Sequence, residues 1–242
     1  MIPIILSAGR GSRVGKETQD LPKWFLEIGD KRIHDYQLDA LSTRFDTVYL
    51  VLGHGFVDET NPDDIVPNRT DIEVVPIVFN EWKEVDNAGS ALFALEAVPS
   101  DEDLLLICGD VIINEEVVDE FISKYEKSTD SESSAVAAFE GIQDEKTAVT
   151  WDSDRYILDY GTVEGHEEAG IFILNETHID IAENMWSNNL NDWFPIIFPE
   201  VRSKAITICN NSDSHYEINT EEDLQKAREI LVNNKIKNQV ND

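Results

Sequence analysis

Six residues, Ile2 to Ser7 (IPIILS), run without a break into the glycine loop Ala8-Gly9-Arg10-Gly11-Ser12-Arg13, and this junction constrains the fold more than any other stretch. A continuous apolar run of that length, closed by glycine, reads as a strand buried on both faces, which implies helices covering a parallel sheet. The same pattern recurs at TVYLVLG (47–53), EVVPIVFN (73–80) and DLLLICGD (103–110), three further predicted strands. Between them, Ile33, Tyr36, Gln37, Leu38 and Leu41 predict a helix over 33–41, and GSALFALEAV predicts another over 89–98, ended by Pro99-Ser100. Residues 58–71, rich in Asp, Asn and Pro, read as loop. Alternating strands and helices imply right-handed crossovers and a Rossmann-like, three-layer α/β fold with a mainly parallel central sheet. Ligands of such sheets bind at the carboxyl ends of the strands, where the loops at 7–13, 80–90 and 109–110 fall.

The second half is less regular. A helix is predicted over 116–127 and a flexible connection over KSTDSESS. Strands are predicted at 134–142, 148–152, 156–160, 169–175 and 204–210, and a helix at 178–186. In the terminal INTEEDLQKAREILVNN, Thr220 is a good N-cap, and Glu221, Glu222 and Asp223 complement the helix dipole. Leu224, Ala227, Ile230 and Leu231 form its apolar stripe, and only the last few residues read as disordered. The reading is one domain over 1–242, with a nucleotide-binding half (1–112) and an acceptor-binding half (113–242) that ends in the helix.

With 242 residues, 41% of them hydrophobic, such a domain buries a sizeable core without covalent staples. Cys108 and Cys209 lie far apart in apolar runs and are expected to be buried small hydrophobes, with neither a disulfide framework nor a zinc site implied. No run is long enough for a signal or a membrane span, so a cytoplasmic protein is expected. The chain carries 49 acidic against 19 basic residues, a net charge of −30, which repels nucleic acid and anionic membrane. The acids are scattered rather than blocked, which favours a halophilic surface over a patch for a basic partner. At molar salt the Debye length falls to about 3 Å and self-repulsion is screened.

The chemistry sits in S7-A-G-R-G-S-R13 and L21-P-K-W-F-L-E-I-G29. Gly9 and Gly11 let the backbone approach a triphosphate, and the N–H groups of the loop, including that of Ala8, cradle its oxygens. Arg13 and Lys23 supply cations where charge develops on the α-phosphate and the leaving pyrophosphate. A dinucleotide loop is the alternative, but its third glycine is replaced by Val14, and Glu27 or Asp30 follows Pro-Lys rather than ending a second strand. Asp110, after a buried strand and a glycine, projects from the carboxyl edge as a ligand for a hard cation such as Mg²⁺, unless it serves only as a turn residue.

The opening forty residues resemble the A-G-x-G-x-R…P-K signature of the sugar-1-phosphate and phosphocholine nucleotidyltransferase superfamily, whose fold is the nucleotide-diphospho-sugar transferase type. V78-F-N-E-W-K-E-V-D-N-A-G-S90 resembles the segment that holds the base in bacterial phosphocholine cytidylyltransferases, which marks Asn87, Gly89 and Ser90 as base contacts and CTP as the favoured donor. H215-Y-E-I-N-T-E-E-D-L224 resembles the terminal motif of the small-acceptor enzymes. The resemblance implies Mg²⁺ at Asp110 and a second ligand at Asn219, where relatives often carry aspartate, with Glu217 as the other candidate. The alternative for Asn219 is a helix cap.

The acceptor side departs from the pattern. Within T162-V-E-G-H-E-E-A-G-I-F172, Glu168 and Gly170 match, but the lysine that grips the acceptor phosphate is missing, with His166 or Arg155 as possible substitutes. Trp193 is assigned to the acceptor site, and Trp82, Trp151, Trp186 and Trp193 form either an aromatic cage for a quaternary ammonium or ordinary core. The expected partners are an NTP and a small phosphorylated acceptor, a sugar-1-phosphate or a phosphocholine-like compound. A glycosyltransferase would be expected to show Asp-x-Asp where Cys108-Gly109-Asp110 stands, and a non-catalytic nucleotide-sugar-binding protein to lack Lys23 or Asp110.

Overall fold

The computed structural model describes residues 1–56, 66–99, 101–128, 130, 132–143, 147–209 and 215–241, with the backbone alone for 142–143 and 232–241. Its strands are β1 (Ile2–Ser7), β2 (Glu27–Ile28), β3 (Lys31–Arg32), β4 (Thr47–Leu52), β5 (Glu73–Val78), β6 (Leu104–Cys108), β7 (Val111–Ile113), β8 (Ser134–Gln143), β9 (Ala148–Trp151), β10 (Ile157–Gly161), β11 (Gly165–Leu174), β12 (Ser203–Thr207) and β13 (His215–Glu217). The α-helices are α1 (Ile33–Leu41), α2 (Asn87–Ala97), α3 (Glu115–Glu126), α4 (Ile179–Asn188) and α5 (Glu221–Asn241).

The central sheet runs β10-β9-β11-β6-β1-β4-β5, with β8 joined to β11 and β12 joined to β8. The block β6-β1-β4-β5 is parallel, and β11 adds to it antiparallel. The first strand is thus central: the second and third lie on one side and the fourth on the other. That reversal of direction puts the switch point, and its ligand crevice, between the ends of β1 and β6.

Side chains of the buried strands alternate between two cores, as the period of two requires. Ile5, Leu105, Ile107, Ile171 and Ile173 face a layer built from α1, α3 and α5, while Ile4, Leu6, Leu104, Leu106, Phe172 and Leu174 face α2 and α4. In α3, Asn114 caps through Val117 N at 3.1 Å, and Phe121 is fully buried in the first core. Such burial contributes about 1.5–3 kcal/mol.

Two expectations need correction, and two short strand pairs were not anticipated. Cys209 is exposed, because β12 ends at Thr207 rather than 210 and the chain turns outward, where Glu120 accepts the Cys209 N–H at 2.9 Å. Helix α5 continues to Asn241, so the expected disorder is displaced by helix up to that residue. The hairpin β2–β3, turned by Gly29 at φ 70°, and the pair β7–β13 do not follow from hydrophobic periodicity, since strands of two or three residues carry too few positions for a pattern. Residues 58–65 of the predicted loop, Thr129 and Ser131 of the connection, and Asn210 lie outside the described residues. Among the described residues no helix is long and apolar enough to cross a membrane.

Candidate active site

The glycine loop leaves the end of β1 and becomes a 3-10 turn over Ser12–Thr18. Gly53 packs beneath it: a Cβ there would stand 2.8 Å from the Ala8 carbonyl oxygen and 2.7 Å from Cβ of Trp82. Ala8 is also held by the His54 N–H at 2.9 Å. Thr18, fully buried, closes the loop by donating its hydroxyl to the Gly11 carbonyl at 3.0 Å. From outside, Arg228 of α5 grips Glu17 with two bonds of 2.8 Å and the Glu27 carbonyl at 2.9 Å, and its guanidinium holds the Glu17 carboxyl below the usual range. The loop is therefore clamped at base, mouth and flank.

The two loop glycines answer different demands. Gly9 is exposed and has open space where a side chain would be, which leaves its backbone approachable. Gly11 has φ +64°, and a Cβ there would meet Cγ of Lys23 at 2.6 Å. Glycine at 11 thus makes room for the lysine stem.

Lys23 lies in a short 3-10 helix and is 8% exposed. Its ammonium donates to Asp110 Oδ2 at 2.8 Å and to Asn219 Oδ1 at 3.3 Å, and Arg13 donates to the same amide oxygen at 3.2 Å. Residues 13, 23, 110 and 219 thus converge although they are separated by up to 206 positions in sequence. The β7–β13 pair produces the meeting: Glu217 pairs with Val111, and the Ile218 N–H donates to the Asp110 carbonyl at 2.9 Å. Asn219 does not cap α5 with its side chain. Thr220 and Asp223 do so reciprocally, Thr220 Oγ1 accepting the Asp223 N–H at 3.2 Å while Asp223 Oδ2 accepts the Thr220 N–H at 2.7 Å. The capping alternative for Asn219 is therefore excluded.

Two oxygens, one carboxylate and one amide, already share a single cation in the Lys23 ammonium. That donor set fits a hard divalent ion. Among the described residues no group of three His, Cys, Asp or Glu has metal-holding geometry, so phosphate oxygens and water would complete its coordination.

Behind this cluster the site is acidic. Glu168 is 8% exposed, its Oε2 accepting the Gly170 N–H at 2.7 Å and its Oε1 the Tyr160 hydroxyl at 3.4 Å. Burial, then the charges of Glu217 and Asp110, push its carboxyl up to about 8. Burial, and then the carboxylates of Glu168 and Glu217, with Asp110 also acting on the thiol, raise the Cys108 thiol and the Tyr160 hydroxyl. Gly170 is at φ +68°, and a Cβ there would strike Val111 Cγ1 at 2.6 Å, so the strand carrying Glu168 lies tight against the Asp110 turn.

Asn87 opens α2, and its Oδ1 accepts the Phe194 N–H at 2.7 Å. Ser90 is 7% exposed, and Gly89 is buried, where a Cβ would lie 2.3 Å from Val85. Trp193 is half-exposed beside this helix start, and none of the described hydrogen bonds or ring contacts ties it to Glu168 or Gly170. The aromatic cage is not assembled. Trp186 is core, donating to the Phe194 carbonyl; Trp151 stacks on His166 at 3.8 Å; and Trp82 packs on His54. His166 stacks on Trp151, and Arg155 lies over the same ring and donates to the Thr207 hydroxyl at 3.3 Å.

Residues 3–201 match the family described as the MobA-like NTP transferase domain. The chain belongs to this family of nucleotidyltransferases. It is 28% identical over 130 residues to the CTP:phosphoglutamine cytidylyltransferase of Campylobacter jejuni, covering 52% of this chain and 50% of that protein. It is 30% identical over 117 residues to the UTP–glucose-1-phosphate uridylyltransferase AglF of Haloferax volcanii, covering 47% and 45%. The chain thus spans about half the length of these curated relatives. Among solved structures it resembles the CTP:phosphocholine cytidylyltransferase of Streptococcus pneumoniae (LicC), with a TM-score of 0.70 at 15% identity over 95% of this chain and 98% of that one. This likeness bears on the fold, which is that of the nucleotide-diphospho-sugar transferases.

Sequence reasoning passed over Gln37. It sits fully buried among apolar residues of α1 and bonds to both sides of the Asp110 turn. A polar residue inside an apolar stripe was the available signal.

Proposed function

We propose that this chain transfers a nucleoside monophosphate from an NTP, with CTP favoured, to a small phosphorylated acceptor of the sugar-1-phosphate or phosphocholine type, releasing pyrophosphate. The observation that carries this reading is the convergence of Lys23, Arg13, Asp110 and Asn219 beside the open Gly9–Gly11 loop at the switch point. The acceptor's phosphate oxygen, already anionic, attacks the α-phosphorus as the bond to the bridging β-oxygen breaks, and pyrophosphate leaves with that electron pair. The loop N–H groups, Ala8's among them, hold the triphosphate, and Lys23 and Arg13 neutralise the charge that grows on the transferring and leaving groups. Asp110 and Asn219, with Glu217 adjoining, would hold Mg²⁺, which supplies further charge neutralisation when bound. Asn87, Gly89 and Ser90 are assigned to the base, and Glu168, Gly170 and Trp193 to the acceptor. The acidic surface supports a cytoplasm of high salt as the working environment.

Two of the similar proteins are CTP enzymes by name and one uses UTP, so the base is what an assay must resolve. The test is pyrophosphate release from four NTPs against phosphocholine and several sugar-1-phosphates, in molar KCl with Mg²⁺. Release that needs both substrates and is lost in Asp110→Ala is the expected result. No release above the Asp110→Ala background for any pair would overturn the reading.

A further inference from the structure

Gln37 lies on the inward face of α1 with no exposed surface, among Ile33, Leu38 and Leu41. A leucine would suit that apolar stripe, whereas a buried amide is costly unless its bonds are made. Here they are. Oε1 accepts the indole N–H of Trp24 at 2.8 Å, and Nε2 donates to the carbonyls of Cys108 at 2.9 Å and Val111 at 2.8 Å. The orientation of the amide is unambiguous, because turning it over would set its oxygen against two carbonyls and its NH₂ against an N–H.

The positions of these partners matter more than their number. Trp24 directly follows Lys23. Cys108 and Val111 bracket Gly109-Asp110, the turn that delivers the carboxylate. One side chain therefore spans the two segments whose tips meet in the 2.8 Å contact between Lys23 and Asp110. The turn is also held by main-chain bonds, Gly109 N–H to the Leu6 carbonyl at 2.9 Å and Ile218 N–H to the Asp110 carbonyl at 2.9 Å, and by the pairing of Cys108 with Leu6 and of Val111 with Glu217, none of which reaches the lysine segment. Trp24 is itself fully buried and packed edge-on against Phe25 at 5.3 Å, so its N–H is a fixed point from which Gln37 holds the turn.

We propose that Gln37 is a positioning residue: through Trp24 on one side and the Cys108 and Val111 carbonyls on the other, it sets the separation of Lys23 and Asp110 on which the site depends. This rests on the reading of Lys23 and Asp110 as the charged pair of a nucleotidyltransferase. Gln37 touches no substrate. Its effect is on geometry, so it acts on turnover and metal dependence more than on nucleotide KM.

The test compares three variants. Gln37→Met keeps a similar volume but removes all three bonds; Trp24→Phe cuts only the lysine side; Leu41→Ala, in the same helix and core, lowers stability without touching the connection. Expected for Gln37→Met is a loss of about 10–100-fold in kcat and in apparent Mg²⁺ affinity, the scale for residues that orient metal ligands, with nucleotide KM within about threefold. Trp24→Phe should fall between Gln37→Met and the parent, and Leu41→Ala should keep the parent's kcat and Mg²⁺ midpoint while melting earlier. A readout independent of turnover is the Trp24 indole N–H signal in the metal-free protein, which should move upfield in Gln37→Met and hold still in Leu41→Ala. If Gln37→Met behaves as Leu41→Ala does, with a lower melting temperature but unchanged kcat and midpoint, the inference is wrong. Should Gln37→Met not fold, a parental kcat and midpoint in Trp24→Phe overturns it equally. Failure of the nucleotidyl-transfer reading shows separately, as a parent protein without activity.

Discussion

Lys23 and Glu168 are buried to the same degree, each 8% exposed, and meet opposite electrostatic surroundings. Lys23 has a carboxylate at 2.8 Å and an amide oxygen at 3.3 Å, both accepting from its ammonium. The described partners of Glu168 are a backbone N–H and a tyrosine hydroxyl, and its neighbouring charges are the carboxylates of Glu217 and Asp110. Burial first, and those carboxylates after it, push its carboxyl up to about 8. The Lys23 ammonium has its counter-ion in place, whereas the Glu168 carboxyl has other carboxylates as its charged neighbours. At Glu168 burial is the largest influence and the carboxylates of Glu217 and Asp110 add to it, whereas Lys23 meets an opposite charge at hydrogen-bond distance.

The largest expected effect breaks the comparison on its charged side. Lys23→Ala and Arg13→Ala should each lower kcat about 10²–10³-fold, the scale of losing one preorganised donor. Lys23→Ala should sit at the upper end, because Lys23 meets both Asp110 and Asn219 whereas the bond of exposed Arg13 among the described residues is to the amide. Steady-state pyrophosphate release, with circular dichroism to confirm folding, measures this. Near-parental activity in both variants removes these two residues from catalysis.

The next effect sharpens it. Asn219 has the only uncharged oxygen among the bonds described here to Lys23, so Asn219→Asp adds an anion at the proposed metal position. The Mg²⁺ midpoint of turnover should fall on the order of tenfold, and in Asn219→Ala it should rise by a similar factor. Because Thr220 and Asp223 cap α5 without Asn219, its alanine variant should escape the stability loss of about 1 kcal/mol that follows removal of a cap. One shared midpoint for Asn, Asp and Ala would show that this position does not bind metal, and Glu217 would be tested next.

A smaller effect applies to the whole surface. With a net charge of −30, the melting temperature should climb by several degrees from dilute buffer to molar KCl as like charges are screened. A flat or falling curve would favour a basic partner as the reason for the acids.

What could be read in advance divides along the same line as the chemistry. Strands β1, β4 and β6 were legible because burial in the sheet interior leaves continuous apolar runs, β5 because its run is apolar although it is a half-buried edge strand, Arg13 and Asp110 because they follow such runs, and Lys23 through Leu21-Pro22-Lys23. The meeting of Asp110 with Asn219 depends on β7 and β13, three residues each, whose pairing leaves no periodic trace. Gln37 was visible only as part of a helical stripe, since sequence cannot show which carbonyls an amide reaches. The tryptophans misled for a related reason: aromatic residues fill cores more often than cages, and Trp186, with no exposed surface, is core.

A separate probe, aimed at the Glu168 side of the comparison, is the pH dependence of stability. Its folded pKa of about 8 lies above the model-peptide value of 4.5. Below pH 4.5 both the folded and unfolded carboxyls are protonated, and Glu168 adds no pH dependence. Between 4.5 and 8 the unfolded chain releases a proton that the folded chain retains, so raising the pH draws the equilibrium toward the unfolded state. Above 8 both forms are ionised and the loss levels off. Glu168 thus contributes stability that is complete on the acid side of this window and lost as pH rises through it. Glu168→Gln mimics the neutral acid: its carbonyl can still accept the Gly170 N–H, and its NH₂ can face Tyr160. In chelator-treated protein at constant molar KCl, the melting temperature of the parent should decline more between pH 5 and 8 than that of Glu168→Gln, and the two curves should converge toward pH 5. Parallel curves across the window would mean that Glu168 is ionised in the folded protein, and the contrast with Lys23 would then require a cation on the acceptor side.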